Sequence, residues 1–244
     1  MSAPDRAPDQ APAEVTVGSD FRRARRPEQR EQRRQAILDA AAAMLAEMPV
    51  ADISLRELSR RVGLAGSNVL RYFETREGVF LALLDKLSEE WLDQLERDLG
   101  ANSSHRPVEP VERIAQTWAR SLASRPLLCE LTSVLSGVLE RNVSIDSVRE
   151  FKRRAIARNG RLASLIRGLV PELSERAALE IASLAHTLLA GLWPLANPGP
   201  VVRAATEDPE LAAAHVDFTG RMTRGLLLLL AGQLATRKTR ERDF

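Results

Sequence analysis

"VGLAGSNVLRYFETREGVF", Val62 to Phe80, sets Ser, Asn, Arg and Tyr among apolar residues between two glycines. Wound as a helix, "GSNVLRYF" places Val69 and Phe73 four apart on one face, where Val62 of the preceding segment can join them. Asn68, Arg71 and Tyr72 fall at i, i+3 and i+4 on a second face, with Ser67 at its edge. Such a face is either bare solvated surface or a surface that meets a partner with complementary polar edges. Just upstream, "SLRELSRRVG" reads as another short helix. Ser54 and Glu57 have the spacing of a capping box, in which each side chain ties down an orphan amide. Leu55, Leu58 and Val62 form its inner side, and Gly63 suits a left-handed exit.

Two short helices joined by a tight glycine-containing turn make a helix-turn-helix, whose second helix can enter the DNA major groove. The polar face then has a chemical purpose. Arginine donates twice to guanine O6 and N7, and asparagine both donates to and accepts from adenine. Hydroxyls and exposed amides suit phosphate oxygens. On this reading Ser67, Asn68 and Arg71 address bases, while Ser54, Tyr72 and Arg76 address the backbone.

Working outward, a first helix from about Pro27 carries Ile37, Ala41, Met44, Leu45 and Met48 at helical spacing and stops at Pro49. Before it, "FRRARRPEQREQRRQ" concentrates arginine as either a solvated tail or a phosphate-clamping arm. Met1 to about Asp20 is rich in Pro, Ala and Asp and reads as a disordered tail. After the quoted stretch, Thr75 caps a long helix with Val79, Leu83, Leu87, Trp91, Leu95 and Leu99 inward. Further helices follow at about Pro110–Ser124, Pro126–Arg141, Ile145–Leu169, Ser174–Ala196 and Pro209–Thr236, with "NPGPVVRAATED" irregular at its start. The expectation is an all-α protein: a tail at 1–20, a three-helix DNA-binding domain at 21–75, and a larger helical bundle at 76–244.

Composition agrees with this. Ala, Leu, Arg and Glu dominate, aromatics are 4%, and the net charge of +2 is too small to imply nucleic acid by itself. Cys129 is the only cysteine, which excludes an intrachain disulfide and suits a reducing cytoplasm. No secretory signal opens the chain, and the apolar run Gly225–Gly232 is much too short to span a bilayer.

The segment Arg26–Leu84 resembles the DNA-binding domain of the TetR/AcrR family of bacterial transcriptional regulators. The resemblance rests on Ser54 opening the second helix, Val62-Gly63, Val69-Leu70, Phe73, and Arg76 opening the fourth. Two positions depart from the family pattern. Ala65 stands where Ser or Thr usually caps the third helix, leaving Ser67 or Gly66 to serve. Leu70 stands where Tyr usually touches phosphate, leaving Arg71, Tyr72 and Arg76 to compensate.

The resemblance implies a homodimer on a palindromic double-stranded operator, with the last two helices forming the interface. It also implies a small, largely apolar ligand in the bundle. The nearly all-apolar stretch Gly225–Ala231 independently suggests an interface, burial within the monomer being the other reading. Trp118, Cys129, Phe151, His186, Trp193 and Met222 are candidate pocket walls, or simply core, and Pro194 is a candidate pocket roof. A bundle that recruits a protein partner instead would have a closed core. An enzyme is not expected: His105, His186 and His215 are scattered, and metal-ligand spacings, nucleotide loops and nucleophile elbows are missing from the sequence, so neither metal nor cofactor is anticipated.

Overall fold

The computed structural model describes residues 17–101 and 109–242, and all regular structure among them is helical. Helix α1 spans Val17–Leu45, α2 Leu55–Val62, α3 Gly66–Phe73 and α4 Arg76–Ala101. The bundle follows with α5 Pro110–Ala123, α6 Pro126–Val134, α7 Ile145–Leu169, α8 Glu175–Ala196, α9 Pro200–Ala205 and α10 Phe218–Arg242.

The chain divides into two units, residues 1–36 and 37–244. In the first, α1 opens at Val17, ten residues before the expected start, and carries Pro27 inside it. Val17 to Asp20 are therefore helical rather than part of a disordered tail; the rest of that expected tail lies outside the described residues. Arg30 and Arg33 of the arginine run are exposed, and Arg34 pairs with Glu31 at 3.5 Å.

In the second unit the α2–α3 pair forms largely as its local chemistry demands. The Ser54 hydroxyl accepts from the Glu57 amide at 3.1 Å, but the Glu57 carboxylate turns to Arg60, so the capping box closes on one side only. Gly63 takes the left-handed conformation at φ 70°, and the Leu64 amide reaches back to the Ser59 carbonyl at 3.0 Å. Ala65 is the N-cap of α3 and supplies no side-chain bond, and neither Ser67 nor Gly66 replaces it.

Between α3 and α4 the chain reverses through Glu74 at φ 61°, and the Thr75 hydroxyl caps α4 by accepting from the Gly78 amide at 2.9 Å. A Cβ on Gly78 would run into the Phe73 carbonyl, because the new helix starts against the end of the old one. Gly78→Ala is accordingly expected to cost about 1–3 kcal/mol through forced backbone displacement, seen as a lower midpoint in thermal melting.

The bundle departs from the expected helices in three places. The helix after Pro126 gives way at Leu135–Leu139 to a wider π turn. Pro200 opens the short α9, because proline at a first helical position lacks only an amide that would have gone unbonded. Residues Pro209–Ala214 form a separate 3-10 turn, and Asp217 restarts the chain into α10 by accepting from the Gly220 amide at 3.1 Å. Pro194 lies in the last turn of α8, which ends two residues later at Ala196.

Helix α8 has the length and apolarity of a membrane-crossing segment, with mean hydropathy 1.3 over its most apolar window. It is instead a central helix of the bundle, packed against α6, α7 and α10, with Ile181, Ala185 and Leu189 buried. α10 packs against α5 and α8 through Phe218, Met222, Leu226 and Leu230, a strict four-residue repeat. Its opposite side leaves Leu228 exposed, as α8 leaves Leu184 and Leu195.

Candidate functional site

Two features of the second unit bear chemistry. The first is the outer side of α3. Val69 and Phe73 are buried beside Leu58 in the core, and this fixes the rotation of the helix. Ser67, Asn68 and Arg71 are left exposed, and the side chains of Asn68 and Arg71 make no recorded bond with the described residues. Tyr72 rolls partly inward and packs against the core, while Leu70 is exposed.

Arg76, expected at the DNA backbone, also makes bonds within the fold. Its guanidinium donates to the Ile53 carbonyl at 2.9 Å and to Glu77 at 3.0 Å, and Glu77 is itself buried. The side chain thus ties the start of α4 to the loop that precedes α2. Arg56, in the first turn of α2 beside Ser54, is exposed instead. Sequence reasoning passed it over because nothing in the spacing distinguishes it from Arg60 or Arg61, both of which pair with glutamates.

The second feature is a cavity between α4, α6, α7 and α8. It has a volume of about 180 Å³, within about 700 Å³ of empty space that includes its mouth. Trp91, Phe151, Lys152, Arg158, Asn159 and His186 line it. A smaller chamber reaches Trp118 and shares Ser88, Trp91, Thr132 and His186 with the larger one.

Of the six expected wall residues, Trp118, Phe151 and His186 are on these walls, and the other three lie outside both chambers. Cys129 is fully buried, its thiol directed to the Leu122 carbonyl at 3.4 Å, and burial pushes that thiol up to about 12. Trp193 donates its indole N–H to Glu130 at 3.1 Å and stands edge-on to Phe218. Met222 fills the seam of α10. Each is held by bundle contacts outside the two chambers. The sequence signal for Ser88, Thr132 and Asn159 was equally absent, since polar residues on amphipathic helices normally mark the solvent side.

Charge links α4 to α7. Arg158 meets Asp85 at 2.5 Å, Arg154 meets the same carboxylate at 2.7 Å, and Arg161 spans Glu89, Asp93 and Glu96. Donating to the Glu96 and Asp93 carboxylates raises the Arg161 guanidinium above its already high ordinary value. At the start of α7, the Ser147 hydroxyl donates to Glu74, the residue directly after α3, at 3.2 Å.

A short helix with an exposed polar edge over a small core, followed by a helical bundle with a cavity, is the layout of a helix-turn-helix protein with an attached bundle. Residues 37–83 match "Bacterial regulatory proteins, tetR family", and residues 85–237 match "Tetracyclin repressor-like, C-terminal domain". The second match covers more than half of the chain, which therefore belongs to the TetR family of DNA-binding transcriptional regulators.

Solved structures share the fold. A TetR-family regulator from Pectobacterium atrosepticum is 19% identical with a TM-score of 0.55, the alignment covering 85% of this chain and 96% of that one. The fatty acid degradation regulator FadR from Bacillus halodurans is 17% identical with a TM-score of 0.53, covering 82% and 95%. A TetR-family regulator from Mesorhizobium loti is 14% identical with a TM-score of 0.51, covering 85% and 97%. No curated protein sequence matches the chain.

Proposed function

We propose that the protein is a cytoplasmic, ligand-responsive repressor that binds an inverted-repeat operator as a homodimer. In this reading residues 21–75 are the DNA-binding domain and residues 76–244 bind ligand and dimerise. The observation that carries it is the polar edge of α3, Ser67, Asn68 and Arg71, exposed and unspent over an anchored apolar side. Such a face is ready to address base edges. Ser54, Tyr72 and Arg56, with the uncapped first amides of α3, would contact phosphates in this reading. Arg76 acts as a positioning residue for the loop before α2 through its bonds to Ile53 and Glu77.

Dimerisation uses the exposed apolar residues of α8 and α10, Leu184, Leu195 and Leu228, which are costly to leave in water. The cavity favours a small molecule over a protein partner for the bundle. Its wall helix α7 meets Glu74 at the end of the reading helix and grips α4 by ion pairs, so a ligand that shifts α7 would shift the reading heads. By linkage, operator binding must then weaken ligand binding by the same factor.

The test is binding to the DNA flanking the protein's own gene across a salt series. Specific binding that falls steeply with rising salt is the expected result. Affinity no greater than for unrelated DNA at every salt concentration would refute the reading.

A further inference from the structure

The cavity wall shared by the two chambers is unusual in how its hydrogens are spent. The Ser88 hydroxyl donates to the Leu84 carbonyl at 2.7 Å, and the Thr132 hydroxyl donates to the Leu128 carbonyl at 2.7 Å. His186 Nδ1 lies 2.7 Å from the Ala182 carbonyl. A carbonyl can only accept, so the neutral imidazole carries its proton on Nδ1 and presents Nε2 as a bare lone pair. No described protein group bonds that Nε2, and the ring is fixed edge-on to Trp91 with centroids 6.3 Å apart. The Trp91 N–H is spent as well, on the Ser121 hydroxyl at 2.9 Å.

Every donor of that shared wall thus points back into the protein, and what remains toward the cavity are acceptor oxygens and one acceptor nitrogen. The two cations of the lining are both ion-paired. Lys152 is matched by Glu140 at 2.5 Å and Arg158 by Asp85 at 2.5 Å. At this wall an anionic ligand would face the lone pairs of His186, Ser88 and Thr132. A cationic one would enter beside Lys152 and Arg158. Trp91, Trp118 and Phe151 supply flat apolar surface.

Resting on the reading of this cavity as the ligand site, we infer that it recognises an uncharged, flat apolar molecule through a hydroxyl or N–H that the ligand donates to His186 Nε2. Ser88 and Thr132 add acceptors beside it, and Asn159 is the uncharged donor on the wall of the larger chamber. Burial holds the His186 imidazole below its ordinary value, helped by the nearby Arg158 charge, so the acceptor form persists at neutral pH.

The experiment is calorimetry and thermal shift on the full chain with four probes that share one body: 4-propylphenol, 4-propylanisole, 4-propylbenzoate and 4-propylbenzylamine. The phenol donates without charge, the anisole only accepts, and the last two carry opposite charges. The phenol is expected to bind at least about tenfold more tightly than the other three. His186→Phe keeps a ring against Trp91 and should bring phenol and anisole to within about threefold. His186→Gln, which restores an acceptor, should recover part of the preference.

Tighter binding of the benzoate or the amine, or a phenol preference that survives in a folded His186→Phe protein, would overturn the inference. If His186→Phe does not fold, the wild-type ranking of the four probes decides alone. Silence from all four probes, with operator binding intact, would instead remove the cavity as a ligand site while leaving the DNA reading in place.

Discussion

Asn68→Ala and Arg71→Ala proteins are each expected to lose about 1–3 kcal/mol of operator affinity and to become indifferent at one base pair per half-site. Both side chains project from the exposed edge of α3, so truncation removes no core contact and the melting temperature should stay at the wild-type value. The loss is in reading. Asparagine and arginine each offer paired hydrogen-bonding groups that fit one base and misfit others, so discrimination disappears along with affinity.

In the proposed dimer α3 is present twice, so the effect should appear in both half-sites. Quantitative binding to an operator and its singly mutated versions separates this from phosphate contact, whose loss weakens all sequences evenly. If Asn68→Ala and Arg71→Ala both kept affinity and sequence preference, the assignment of α3 as the reading helix would be wrong.

The Asp85→Ala protein should show the larger effect on stability. One carboxylate, with its side chain only 13% exposed, holds both Arg154 and Arg158, and Arg158 is itself 11% exposed. Removing one partner of a fully buried pair costs about 3–5 kcal/mol, because the remaining charge is left without compensation. Arg154 can return to water, and Arg158 keeps Glu89 at 3.8 Å, so the expected cost here is about 2–3 kcal/mol.

For a domain of this size that corresponds to a fall in melting temperature of about 5–10 °C. Asp85→Asn should fall less, since it keeps an oxygen to accept from one guanidinium. The same change loosens α7 from α4, so a ligand that binds the cavity should move operator affinity less than in the wild type. Wild-type melting in Asp85→Ala would show that the α4–α7 ion pairs are surface decoration.

Local features were legible in the residues. Gly63 takes the left-handed exit, Thr75 caps α4, and Ser54 accepts from the Glu57 amide, because each depends on atoms within a few residues along the chain. Helix α7 has the bounds read from its sequence, Ile145–Leu169, since Ser144 caps it locally. The resemblance to the TetR family, carried by the α2–α4 segment, holds for the chain as a whole.

What sequence alone determined is therefore an all-helical regulator with a helix-turn-helix and a polar edge on α3: apolar period and capping chemistry act over one or two turns. Only the tertiary structure decided where Arg76 points, which of the aromatic and sulfur side chains reach the cavity, and that Ser88, Thr132 and His186 share a wall of acceptors. Those outcomes depend on how far each helix is rotated when packed. Partners far away in sequence set that rotation, as when the Ile53 carbonyl, 23 residues away, captures Arg76 or Glu130, 63 residues away, captures Trp193.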